Sequence, residues 1–73
     1  MKKKRIKVGK FIRKKRELLK YSKQKLEEIT KVSRNTILNI EEGVHPMKIE
    51  TLIALADGLK FDIQDVLKIY GGK

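Results

Sequence analysis

KVSRNTILNIEEG, residues 31–43, is the stretch on which the fold turns. Ser33 can accept a hydrogen bond from a backbone N–H that the first turn of a helix leaves unpaired, and Gly43 can take the left-handed conformation that ends one. Between them the spacing predicts a helix over 34–42. Ile37 and Ile40 lie three apart on the face that also receives Val32, whereas Arg34, Asn35, Leu38 and Asn39 project the other way. An apolar inner face would exist in any packed helix, so the meaning of the mostly polar outer face depends on what surrounds it.

Upstream, Ser22 is a candidate N-cap for a short helix over 23–30 that carries Leu26, Ile29 and Thr30; at barely two turns it needs tertiary support. Before it, Val8, Phe11, Ile12, Lys15 and Leu19 recur at steps of three and four, with Leu18 beside them. That pattern predicts a helix over 7–20 whose other side is Lys and Arg. Downstream, Gly43-Val44-His45-Pro46 reads as a loop, a helix over 48–58 presents Ile49, Leu52, Ile53, Leu55 and Ala56, and Gly58 offers its exit. Asp62 with Asp65 resembles a capping box and opens a helix over 63–70 carrying Ile63, Val66, Leu67 and Tyr70. No stretch alternates as a half-buried strand does, and no repeat is present. The expectation is an all-α, compact five-helix domain over 7–70, preceded by a basic flexible arm over 1–6 and followed by a flexible tail over 71–73.

Seventy-three residues are enough for one small core and too few for a two-domain enzyme cleft. The absence of cysteine removes disulfides and thiolate metal sites, and it fits a reducing cytoplasm. The formal charge of +10 is lopsided: residues 1–25 carry +12 and residues 26–73 carry −2. Such a field suits a phosphate backbone or an anionic membrane, or else a solvated arm. The amino terminus begins like the charged part of a signal peptide, but no uninterrupted apolar run follows, so neither a secretion signal nor a membrane span is expected. An enzyme lacks its parts. His45 is the single histidine and lies beside Pro46 in a turn, the pairs Glu27-Glu28 and Glu41-Glu42 point in diverging directions, and neither Gly9-Lys10 nor Gly71-Gly72 belongs to a phosphate loop. No metal, cofactor or small-molecule ligand is implied.

Two short helices joined by a tight turn, the second starting on a serine, make a helix-turn-helix arrangement. SKQKLEEITKVSRNTILNIEEG, residues 22–43, followed by IETLIALADGLKFDIQDVL, residues 49–67, resembles the phage repressor and Cro-like family, also called the XRE family, of lambda-repressor-like DNA-binding domains. The resemblance covers roughly residues 8–67. It implies a sequence-specific double-stranded-DNA-binding transcriptional regulator, a repressor acting in the cytoplasm on the nucleoid as a homodimer, with the 34–42 helix in the major groove. Arg34, Asn35, Leu38 and Asn39 would then meet base edges, Arg suiting guanine, Asn adenine and Leu38 a thymine methyl. Ser22, Lys23 and Gln24 would clamp phosphates, Ser33 and Thr36 would lie near the first phosphates or bases, and the loop residues Val44, His45 and Lys48 would make the second backbone contact. Arg16 and Glu41 match a family salt bridge that ties the first helix to the third, and a carboxylate near a helix's negative C-terminal end needs such a cation. Phe61 and Ile69 are candidates for the dimer contact, with core packing the competing role for Phe61.

The chain departs from the family pattern at four places. Glu27 stands where a small residue is usual, Lys31 and Lys60 stand where glycines are common, and Pro46 comes one place early. Two other functional classes therefore stay open. One is a protein-interaction module or antitoxin-like adaptor on the same body. The other is RNA or anionic-membrane binding through residues 1–25, which would require Phe11 and Ile12 to be free to insert.

Overall fold

The computed structural model describes residues 2–44 and 47–71, with only the backbone of Lys2 and Tyr70. Five helices follow one another: α1 Lys2–Leu18, α2 Lys23–Thr30, α3 Arg34–Glu41, α4 Ile49–Leu59 and α5 Ile63–Gly71. The fold is the expected all-α, five-helix domain, with α2 and α3 as the helix-turn-helix. α1 packs on α3, α4 and α5, while α2 packs on α3 and α4. At the centre lie Val8 and Ile12 of α1, Leu26 of α2, Ile37 and Ile40 of α3, Leu52, Leu55, Ala56 and Leu59 of α4, then Phe61 and Val66. Phe11 meets the Phe61 ring edge-on, at 5.2 Å between centroids and 87° between planes, which fastens α1 to the turn before α5.

The helix ends explain how so short a chain changes direction four times. α1 closes in a Schellman arrangement: Lys20 is left-handed (φ 59°), its N–H donates to the Glu17 carbonyl, and the Tyr21 N–H reaches back to the Arg16 carbonyl at 3.1 Å. α3 closes likewise on Gly43 (φ 70°), with the Val44 N–H on the Asn39 carbonyl at 2.9 Å, and α4 on Lys60 (φ 59°), with the Phe61 N–H on the Ala56 carbonyl. α2 stops on Lys31 (φ 65°), whose N–H donates to the Glu27 carbonyl at 2.8 Å. Three lysines thus occupy a conformation that glycine adopts without strain and that costs other residues roughly 1–2 kcal/mol. At the opposite ends, Ser22 accepts from the Lys25 N–H, Ser33 from the Thr36 N–H, and Asp62 from the Gln64 N–H.

Several expectations need correction. Residues 2–6 are not an arm but the first turn of α1. Lys and Arg are good helix formers, and this turn is docked: Ile6 lies against Gly43, and the Arg5 guanidinium donates to the Val44 carbonyl at 3.4 Å. Leu19 lies beyond the end of α1 and is exposed, because the inward position of that last turn belongs to Arg16. Gly58 is not an exit. α4 runs past it to Leu59, and an added Cβ there would lie 2.4 Å from the Thr30 methyl, so the missing side chain lets α4 close on the end of α2. Ile49 and Ile53 are exposed, with Leu59 and Phe61 buried in their place. On α5, Leu67 is exposed, and Ile69, off the main apolar face, is partly buried against the core; Phe61 is buried too. Gly71, expected in the tail, is the last residue of α5. The Tyr70 side chain, His45, Pro46 and residues 72–73 lie outside the described part.

Candidate nucleic-acid interface

α3 sits at the surface, held by one side only. Ile37, Ile40 and Glu41 are buried, whereas Arg34, Asn35, Thr36 and Leu38 are exposed and Asn39 is half-buried. This division follows from the sequence: with 3.6 residues per turn, residues 37, 40 and 41 share one stripe and 34, 35, 38 and 39 the other. Ser33 starts the helix with its Oγ accepting from the Thr36 N–H at 3.1 Å and donating to Thr36 Oγ1 at 2.8 Å. Both hydroxyls thereby close the cap, and both side chains remain at the surface.

The inward side of α3 carries an ion pair. Arg16 Nε lies 2.7 Å from Glu41 Oε2, Nη2 donates to Oε1 at 3.1 Å, and Nη1 donates to the Tyr21 carbonyl at 2.8 Å. The two side chains are 9% and 3% exposed, so this is a buried bidentate pair rather than a solvated one. The Arg16 guanidinium is pushed above its ordinary value by the hydrogen bond to Glu41, burial opposing, with the charges of Glu41 and Glu17 adding to the rise. Among the described residues, no buried side-chain nitrogen or oxygen lacks a partner. One guanidinium therefore joins the end of α1, the turn into α2 and the end of α3.

Gly9, which belongs to no phosphate loop, fixes the same junction from the other side. A Cβ there would lie 2.4 Å from the Ile40 carbonyl oxygen and 2.6 Å from that of Glu41, so only glycine lets α1 lie across the end of α3. Gly43 performs the same service for Ile6.

Besides those at α3 itself, the expected contact residues fall in two segments, the start of α2 and the α3–α4 connection. Ser22 and Gln24 are exposed and Lys23 half-buried at the start of α2; Val44 and Lys48 are exposed on either side of the α3–α4 connection, and His45 lies outside the described residues. The start of α1 abuts that connection through Arg5, and Lys3, Lys4, Lys7, Lys10, Arg13 and Lys14 stand exposed along α1. Arg13 pairs with Glu17 at 3.2 Å, and the Lys15 ammonium lies over the Phe11 ring. Phe11 is half-buried and Ile12 fully buried, so neither is free to enter a membrane, and no described helix is long and apolar enough to cross one.

Glu27 lies between α2 and α3. Its Oε2 accepts from the Arg34 N–H at 3.3 Å, and its Oε1 lies 3.3 Å from Arg34 Nε. The carboxylate turns to the positive N-terminal end of α3, where an anion is favoured. Among the described residues, no cluster of three or more His, Asp or Glu side chains is arranged to hold a metal ion.

Residues 9–72 match the helix-turn-helix domain family, and the chain belongs to it. It is a DNA-binding, regulatory helix-turn-helix domain of XRE-like fold. No curated protein and no solved structure matches the chain significantly.

Proposed function

We propose that this protein is a sequence-specific transcriptional regulator of the phage repressor and Cro-like kind, which reads duplex DNA with α3 in the major groove and represses by occupying its operator. The observation that carries the reading is the division of α3, whose buried stripe is fixed from behind by Arg16, Gly9 and the core while the side chains of Arg34, Asn35 and Leu38 are exposed. Arg34 pairs with guanine, Asn35 and Asn39 with adenine, and Leu38 meets a thymine methyl; each good pair discriminates by about 1–3 kcal/mol. Ser22, Lys23, Gln24, Ser33, Thr36, Val44, His45 and Lys48 hold the backbone and set the register. The lysines of α1 supply the attraction that brings DNA in, so affinity falls steeply with salt. One module of this size makes a small interface, and a homodimer on a near-palindromic site in the cytoplasm supplies the rest of the specificity.

Selection from a random duplex library at two salt concentrations tests this, with the native chain beside the Arg34→Ala, Asn39→Ala variant. The proposal expects a motif with two half-sites about one helical turn apart, enriched by the native chain and lost in the variant. Equal binding by both proteins without enrichment would refute base readout.

A further inference from the structure

The strongest unassigned feature is Glu27, an acid placed beside a surface proposed to meet an anionic polymer. Its two oxygens are divided between two parts of one residue: Oε2 accepts from the Arg34 backbone N–H at 3.3 Å, and Oε1 stands 3.3 Å from Arg34 Nε. The backbone contact anchors the carboxylate to the first turn of α3, so its second oxygen meets the Arg34 side chain at a fixed place. Glu27 itself is only 37% exposed and stands on α2, one residue from the fully buried Leu26, whereas the Arg34 side chain is 61% exposed. The more constrained partner thus holds the freer one.

We infer that Glu27 is a specificity-determining residue that positions Arg34 for guanine, an inference that rests on the proposed base readout by α3. An arginine has five N–H donors in a planar fork. With Nε beside Glu27, the Nη1 and Nη2 end of the fork is left to pair with guanine O6 and N7. A long side chain otherwise spread over many rotamers is ordered before DNA arrives, so the guanine contact forms at a smaller entropic cost. The negative charge has a second effect of opposite sign, because it repels phosphates of every sequence alike. Glu27 lowers affinity for any duplex and raises the preference for the right one, and these two effects separate the inference from a merely structural role.

The test uses two duplexes that differ at one base pair, chosen as the pair whose preference is lost in Arg34→Ala. Binding of the native chain, E27A, E27Q, R34A and the R34A/E27A double variant is measured to both, each variant first shown to melt in a single transition. The expected result is that E27A binds a non-specific duplex more tightly but discriminates about three- to tenfold less, the effect of freeing one rotamer-rich side chain. E27Q, which keeps the length and can still accept the backbone N–H, falls between E27A and the native chain, and E27A adds no further loss once Arg34 is gone. Preference lost in R34A yet kept or sharpened in both Glu27 variants would overturn the inference and leave base readout standing. A preference that survives R34A at every position would overturn readout by Arg34 and this inference with it.

Discussion

Replacing Glu41 by Ala removes the anion from a pair whose side chains are 3% and 9% exposed and leaves the Arg16 guanidinium buried with the Tyr21 carbonyl as its remaining hydrogen-bond partner. Breaking a buried pair by deleting one partner costs about 3–5 kcal/mol. A chain of 73 residues is stable by about 4–11 kcal/mol in total, at roughly 0.05–0.15 kcal/mol per residue. The loss is therefore a large part of the whole, and with a shift of about 4–8 °C per kcal/mol in a domain of this size the melting point falls by at least about 12 °C. Urea unfolding followed by far-UV circular dichroism measures it, alongside Arg16→Met and the Arg16→Met, Glu41→Leu double variant. Because the pair is buried and screened little, the loss persists at high salt. The double variant, which replaces both charges with apolar groups, loses much less than the sum of the singles. Single losses below about 1 kcal/mol, the worth of an exposed pair, or additive losses in the double variant, would refute the claim that this pair fixes α3.

Gly9→Ala forces a Cβ into the Ile40 and Glu41 carbonyls, backbone atoms that can retreat only if α1 lifts off α3; the expected loss is about 3 kcal/mol by the same urea measurement, and a change under about 1 kcal/mol contradicts so close a contact. Lys31→Gly and Lys60→Gly relieve left-handed lysines and each stabilises by about 0.5–1 kcal/mol after the entropy of an added glycine, whereas Lys31→Ala gives no such gain; a destabilised Lys31→Gly variant would contradict the strain assigned there.

The stretch 31–43 was legible because each of its signals has one physical meaning. Ser33 caps, Ile37 and Ile40 pack, Gly43 turns left-handed, and Arg34, Asn35 and Thr36 are left outside. Other signals had two meanings. A glycine in a helical pattern marks either an exit or a close approach, and Gly58 and Gly9 are the second kind, which only the facing Thr30 methyl and Ile40 carbonyl reveal. Lysine carries no stop signal, yet Lys20, Lys31 and Lys60 each take the left-handed conformation because the packing of the next helix demands it. Apolar residues at steps of three and four fix a stripe only to within one position, so Leu19, Ile49, Ile53 and Leu67 fit the pattern yet are exposed, while Ile69, off the stripe, packs against the core. At the candidate site the composition of α3 was readable from the sequence. The turn of Glu27 toward Arg34 was not, since nothing local says which way a half-buried carboxylate will point.

Contact between the outer face of α3 and base edges in the major groove can be read by methylation interference on the selected duplex. Guanine N7 lies in the major groove and adenine N3 in the minor groove. Methylation at N7 of the guanine read by Arg34 is expected to abolish binding of the native chain and to leave the weaker binding of Arg34→Ala unchanged. Binding indifferent to N7 methylation throughout the site, or blocked only by methylation at adenine N3, would contradict that contact.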